Sequence, residues 1–421
     1  MQVLIGSLLF AFGIFLSVCL HEAGHMGTAK AFGMKVTRYF AGFGPTLWSF
    51  RRGETEYGLK AIPAGGFVKI VGMTPLEDDV EPGDEERAFW RKPLWQRTIV
   101  LSAGSATHFI VGIVLLYICA VWVGVPNPAY AAYDPAKQAA VIGTISPCIP
   151  LKYDPKDPAG DKCTTPPDPV APAKTAGLLP GDKITALDGQ AVANYGELVK
   201  KIRAVSGPVK ITYVRAGKTD STTLTPIRTQ RPTGGTAEKP KLTTVSVIGI
   251  QLKDPKIPQL ITYSPGRAVG ATAQYTGNFF AGTFGAIKQF PQKVPKLITA
   301  LTGGQRDPNT PVSVIGASRL GGEAFALGRY EIVLLILVSL NMFIGVFNLF
   351  PLLPLDGGHI AIAWFERVRS WIAARRGRPD PGRVDYTKLM PLTYAVILVF
   401  GSISLLTLAA DVVNPISLLG P

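Results

Sequence analysis

The chain has 421 residues, of which 47% are hydrophobic and 17% charged; ordinary soluble domains carry about 25% charged residues, so a purely soluble protein is not expected. Mean hydropathy is +0.25 and the pI is about 9.6, with a net charge of +14. No long basic run with interleaved aromatics and no nucleic-acid module accompanies that charge, so nucleic acid is not an expected partner; loops facing an anionic lipid leaflet account for it better.

A bilayer-crossing helix takes about 20 apolar residues, and four stretches qualify. The first runs from about Leu4 to Met26, with no charge between Met1 and Leu20. It lacks a basic n-region and a following small-residue cleavage site, so a removable signal peptide is not expected. Its end reads LSVCLHEAGHMG. His21 and His25 are four apart and share one helix face, where two imidazoles can grip one zinc ion with Glu22 between them as general base. H-E-x-x-H is short and recurs by chance, but ionisable groups at membrane depth cost about 2.5–3.5 kcal/mol each. That cost favours a functional cavity over a helix end snorkelling into water.

The next segment is basic, with Lys30, Lys35, Arg38, Arg51 and Arg52 early and Arg87, Arg91, Lys92 and Arg97 late. Within it EYGLKAIPAGGFVKIVGM alternates weakly and predicts a hairpin dipping toward the membrane. Its exposed strand edge could pair with an unwound peptide through main-chain hydrogen bonds; the plainer reading is an ordinary hairpin. The second span is expected from about Thr98 to Val123. His108 within it reads as a packed, hydrogen-bonded residue rather than a ligand.

The region from about Pro126 to Arg329 is long and polar. AAVIGTIS, AGLLPGDKITALDG, NYGELVKKIRAV and VKITYVRAGK predict a strand, a turn-flanked strand, an amphipathic helix and a strand, and TTVSVIGIQL one more strand. Between Pro147 and Ala176 lies a proline-rich insert holding Cys148 and Cys163, close enough for a short-loop disulfide in an oxidising compartment. Cys19 and Cys119 lie in apolar runs and read as packing residues. From about Ser264 to Thr302 the charge is low and the period helical, with Tyr275, Phe279, Phe280, Phe284 and Phe290. It predicts a membrane-proximal amphipathic element, not a span.

The third span is expected from about Ile332 to Leu355 and the fourth from about Leu389 to Ala410. The loop between them carries Arg367, Arg369, Arg375, Arg376, Arg378, Arg383 and Lys388. The positive-inside rule puts both short basic loops in the cytoplasm, hence both termini and the long middle region outside.

A catalytic zinc takes three protein ligands and a free position. Two LDG tripeptides could supply the third. Asp188 sits in a turn of the middle region; Asp356 sits at membrane depth at the end of the third span, beside Pro351 and Pro354, whose freed backbone groups need a protein-lined cavity. Asp356 is the expected ligand, and Gly357 and Gly358 allow an unusual backbone path there. His359, three residues on, is a rival ligand or a supporting group. Asn348 could donate to a substrate carbonyl or developing oxyanion, or make an interhelical hydrogen bond.

Together, HEAGH at 21–25, AGFGP at 41–45, IPAGGFVKIVGM at 62–73, RAFWRKPLWQR at 87–97 and NLFPLLPLDGGH at 348–359 resemble the site-2 protease family of intramembrane zinc metalloproteases, in its bacterial branch with an extracytoplasmic PDZ domain. The match in order and placement covers nearly the whole chain. The resemblance implies zinc held by His21, His25 and Asp356, water activated by Glu22, and substrate binding near the zinc by Asn348 and by the edge strand around Gly65, Gly66 and Phe67. It implies an α-helical polytopic membrane protein of about four transmembrane helices, with an inserted soluble α+β PDZ domain and a membrane-associated β-hairpin. The expected divisions are 1–125, 126–263 (PDZ with its insert), 264–329 (amphipathic linker) and 330–421. The implied setting is the bacterial plasma membrane. The implied substrates are single-span membrane proteins of the anti-sigma-factor type after a first extracytoplasmic cut, and remnant signal peptides; the PDZ domain would capture peptides or act as a size filter. Where the family usually has a Gly-Pro and an Asn near the start of the second span, Ser105 and His108 stand here, which leaves any role of that asparagine open. A metal transporter would need polar groups in several spans, and spans two and four offer almost none. A non-catalytic PDZ scaffold would not need the complete zinc set.

Overall fold

A computed structural model describes residues 1–73, 80–153, 163, 168–235, 240–304 and 306–419. The chain divides into two compact units, Met1–Val125 with Ile261–Pro421, and Pro126–Leu260.

The first unit begins with α1, Gln2–Ala31. Strands β1, Val36–Arg52, and β2, Thr55–Ile70, follow, then α2, Leu94–Ile118, extended by a π-helical turn to Val123. The expected hairpin is more folded than its sequence suggests. Residues Tyr39–Ala41 pair both with Gly66–Val68 on one side and with Tyr57–Leu59 on the other, and Leu59–Thr55 pair again with Trp48–Arg52. Each strand therefore bends into two segments, giving the order 48–52, 55–59, 36–41, 66–70. The bends fall at Gly42 and Gly44 in β1, both at positive φ, and near Gly65 in β2 at φ +136°, a region open to glycine and costly for other residues. Residues 66–70 form the outer edge, with no strand beyond them among the described residues. The Tyr39 hydroxyl ties this sheet to α1 by donating to the Cys19 carbonyl at 2.8 Å, and Lys30 Nζ donates to the Tyr57 hydroxyl.

The second unit holds a four-stranded antiparallel sheet in the order Gln190–Ala191, Lys183–Leu187, Val209–Arg215, Lys218–Leu224. Helix α3, Tyr195–Ala204, carries Asn194 as its cap, accepting from the Glu197 N–H. Its Leu198 and Ile202 enter a core with Ile184, Leu187, Ile211 and Ile248. The expected strand over TTVSVIGIQL is two, Pro240–Val247 and Ile250–Leu252, because Gly249 sits at positive φ between them. Cys148 and Cys163 are disulfide-bonded; most of the proline-rich insert around Cys163 lies outside the described residues. Cys119 is a free, buried cysteine, as its apolar run suggests.

The chain returns to the first unit with α4, Pro265–Leu301, and α5, Val314–Ala326. The stretch read as a linker is therefore largely helical, and Ala268, Ala271 and Tyr275 of α4 pack against Leu116 of α2 and Val338 and Met342 further on. Helix α6, Tyr330–Asn348, ends seven residues short of the expected limit of the third span. Pro351 and Pro354 cannot continue it, so Asp356 opens a separate helix, α7, Asp356–Arg375. The expected basic loop is thus mostly helix. Helix α8, Met390–Val413, closes the unit. Among the described residues, four helices are long and apolar enough to cross a membrane, Gln2–Ala31, Leu94–Val123, Tyr330–Asn348 and Tyr386–Val413. At the end of α8, Asp411 is buried and paired with Arg306 at 2.7 Å.

Candidate metal centre

Helix α1 presents His21 and His25 on one buried face, while the turn ending in Leu355 delivers Asp356 at the first position of α7. Gly357 makes that delivery possible. Its φ is not positive; instead a Cβ there would lie 2.3 Å from Leu349 C and Phe350 O. The glycines after Asp356 serve close approach of α7 to the preceding loop, not an unusual backbone path.

Three atoms converge. His25 Nε2 lies 3.1 Å from His21 Nε2, and Asp356 Oδ2 lies 3.3 Å from His21 Nε2 and 3.4 Å from His25 Nε2. A tetrahedral zinc bound at about 2.0–2.1 Å holds its donors about 3.3–3.4 Å apart. The donor set of two imidazoles and one carboxylate fits such an ion, and Asp356 Oδ2 is buried with no hydrogen-bond partner among the described residues. A buried carboxylate oxygen without a partner is costly, and a cation answers that cost. His25 Nδ1 donates to the Val100 carbonyl at 2.7 Å, so its lone pair is at Nε2, on the side of the cluster. The floor of the site is Gly104 of α2, where a Cβ would lie 2.4 Å from both His21 Cε1 and His25 Nε2. No larger residue leaves room for the two rings.

Glu22 is half-buried. The outer sheet edge runs beside it: the Val68 backbone N–H approaches its carboxylate, and a Cβ on Gly66 would lie 3.3 Å from Glu22 Cγ. Phe67, between them, stacks on Phe40 and Phe43, and Gly65 packs on the Phe43 ring. Asn348 is half-buried at the last position of α6, and its side chain has no hydrogen-bond partner among the described residues.

His359 is outside the three-atom cluster; its Nδ1 lies 3.3 Å from the Tyr386 hydroxyl. Asp188 is a turn residue at φ +45° whose Oδ1 accepts from the Lys210 N–H. His108 is buried, its ring centroid 5.0 Å from that of His21, and its Nδ1 is 2.9 Å from Asn341 Oδ1. Asn341 Nδ2 donates to the Leu337 carbonyl, which leaves Oδ1 as the acceptor and puts the His108 proton on Nδ1. Sequence reasoning missed Asn341. The available signal was its position seven residues before Asn348, on the same face of one apolar helix. Ser105 is buried beside this layer, and its Oγ has no hydrogen-bond partner among the described residues.

The profile of peptidase family M50 matches residues 9–380. The chain is 41% identical over 421 residues to zinc metalloprotease Rip1 of Mycolicibacterium smegmatis, covering 98% of each chain. It is 40% identical to zinc metalloprotease Rip1 of Mycobacterium tuberculosis strain H37Rv, over 99% of this chain and 100% of that one. It is also 29% identical to the putative zinc metalloprotease mll0638 of Mesorhizobium japonicum, over 85% of this chain and 88% of the other.

Proposed function

The chain belongs to peptidase family M50 and is a zinc metalloendopeptidase of the site-2 type, and we propose that it cuts single-span membrane proteins within or close to the bilayer at a centre built from His21, Glu22, His25 and Asp356. The observation that carries this reading is the approach of Asp356 Oδ2 to both imidazole Nε2 atoms, 335 and 331 residues away in sequence (356 − 21 and 356 − 25), at 3.3 and 3.4 Å.

His21, His25 and Asp356 would hold zinc, which when bound supplies Lewis acidity for peptide hydrolysis. Glu22 takes a proton from the attacking water as the C–O bond forms. It returns that proton to the amide nitrogen as the C–N bond breaks, releasing a carboxylate and an amine. Helical peptide bonds are shielded by their own hydrogen bonds, so the substrate must be extended first. The outer edge at residues 66–70 runs beside Glu22 and offers main-chain partners for an extended strand. Gly66 leaves room for that strand, and Asn348 can donate to the scissile carbonyl.

The substrate class is the anti-sigma-factor type, already cut outside the membrane, together with remnant signal peptides. The two arginine-rich segments face the cytoplasm, and both termini and the Pro126–Leu260 unit lie outside. That unit is a PDZ domain: its four-stranded sheet and the helix α3 packed on it support this assignment, and the Cys148–Cys163 link supports an oxidising location.

Glu22→Gln tests the assignment. The purified variant is expected to keep zinc by elemental analysis and to lose cleavage of a single-span peptide in detergent or vesicles. Retained turnover would refute Glu22 as the base.

A further inference from the structure

Helix α7 carries a feature that peptide hydrolysis does not use. It is too polar to be among the four helices able to cross a membrane, yet Trp364, Phe365, Val368 and Trp371 are each 49–57% exposed and Ile372 is exposed beside them. These five positions fall within about 120° of the helix circumference at about 100° per residue, a single stripe. The other side of α7 is occupied by protein: Ala363 is buried and Glu366 pairs with Arg97 at 3.5 Å; Ile360, one turn before the stripe, joins the cluster of Met34, Val36 and Leu101.

Arginines border the stripe. Arg367 and Arg376 flank its two edges, and Arg378 follows its end; the side chains of the three have no ion pair or hydrogen bond among the described residues. Arg375 lies 4.1 Å over the Trp371 ring and Arg369 5.6 Å over the Phe365 ring, so the charged heads stay at the level of the aromatic stripe. Asp380 and Asp385 pair with none of Arg367, Arg375, Arg376 and Arg378 among the described residues: Asp380, beside Arg369, accepts from Ser370 and Gly382, and Asp385 accepts from Thr387. In sequence α7 lies between the ends of two spans, so it sits at a membrane face.

We propose that α7 is an interfacial helix that binds anionic lipid headgroups, its apolar stripe in the acyl boundary and Arg367, Arg375, Arg376 and Arg378 at the phosphate level. An exposed aromatic stripe edged by unpaired arginines is the pattern of a helix lying in the headgroup layer. Each basic residue near an anionic surface gains roughly 1 kcal/mol, about fivefold in association. The first residue of this lipid-bound rod is Asp356.

The test uses the full chain in phosphatidylcholine vesicles, with brominated phosphatidylcholine or brominated phosphatidylglycerol as quencher at equal mole fraction. The signal of interest is the tryptophan fluorescence that Trp364→Phe with Trp371→Phe removes. At low salt the anionic quencher should associate at least fivefold more strongly than the zwitterionic one. High salt, or Arg367→Ala with Arg375→Ala, Arg376→Ala and Arg378→Ala, should abolish the difference while both quenchers still reach the tryptophans. Equal association in the unaltered chain, or no quenching by either lipid, would overturn the proposal. Cleavage is not read, so failure here leaves the protease assignment standing.

Discussion

Gly104→Ala probes the metal centre without removing any proposed ligand. The added methyl would sit 2.4 Å from His21 Cε1 and His25 Nε2, whereas ordinary carbon contacts are about 3.5 Å or more. One or both rings must therefore retreat by roughly 1 Å. His25 resists, because its Nδ1 is held by the Val100 carbonyl at 2.7 Å; His21 is the ring that yields. Metal sites tolerate about 0.2 Å of error in donor distance, so a 1 Å displacement leaves one good histidine donor. We expect zinc affinity to fall by about tenfold to a hundredfold or more, at least as much as for loss of an outer-shell partner, with a stability cost of about 1–3 kcal/mol for overpacking. The assay is chelator competition for zinc on the purified protein. Gly27→Ala is the control: it lies on α1, the helix that carries both rings, with nothing within 4 Å of an added Cβ. Unchanged zinc affinity in Gly104→Ala would refute the idea that these two rings hold the ion.

Other outcomes follow from particular contacts. Asn341→Leu leaves the buried His108 Nδ1 without its acceptor and should cost about 1–3 kcal/mol, read as a lower denaturation midpoint, whereas Ser339→Ala on the exposed side of α6 should not. In the second unit, hydrogen bonds from Arg215 hold the Asp182 carboxyl below its usual range. The folded carboxylate stays charged where the unfolded one takes a proton, near pH ~4, so the pair's contribution is present above that pH and disappears as pH falls through the depressed value. Asp182→Asn should lower the melting temperature at neutral pH and flatten its decline on the acid side; an unchanged acid limb would exclude this pair as a source. Reduction should expose Cys148 and Cys163 to alkylation and destabilise that unit by about 3 kcal/mol for a 15-residue loop. Alkylation of both without reductant would contradict the bond.

What could be read from the sequence was set by local spacing. His21, Glu22 and His25 are legible because an i, i+4 pair on a helix is a local property, and Asp356 because its prolines and membrane depth single it out from Asp188. The four apolar helices follow from hydropathy alone. The misses have physical causes. The aromatic stripe of α7 is hidden from a hydropathy average by the arginines between its members. The folded form of β1 and β2 depends on positive-φ glycines at 42, 44 and 65, which alternation does not reveal. The His108–Asn341 pair spans 233 residues, and an asparagine in an apolar run carries no label for its partner. Asn348 was the more conspicuous amide, and among the described residues its side chain lacks a partner where that of Asn341 has two.

The most direct measurement is zinc K-edge X-ray absorption on the purified full-length chain. The account predicts one zinc in a shell of nitrogen and oxygen donors only, with outer-shell scattering from two imidazoles. A sulfur donor, or scattering from three imidazoles, would mean that Cys19, His108 or His359 holds the ion in place of Asp356, and the proposed centre would be wrong.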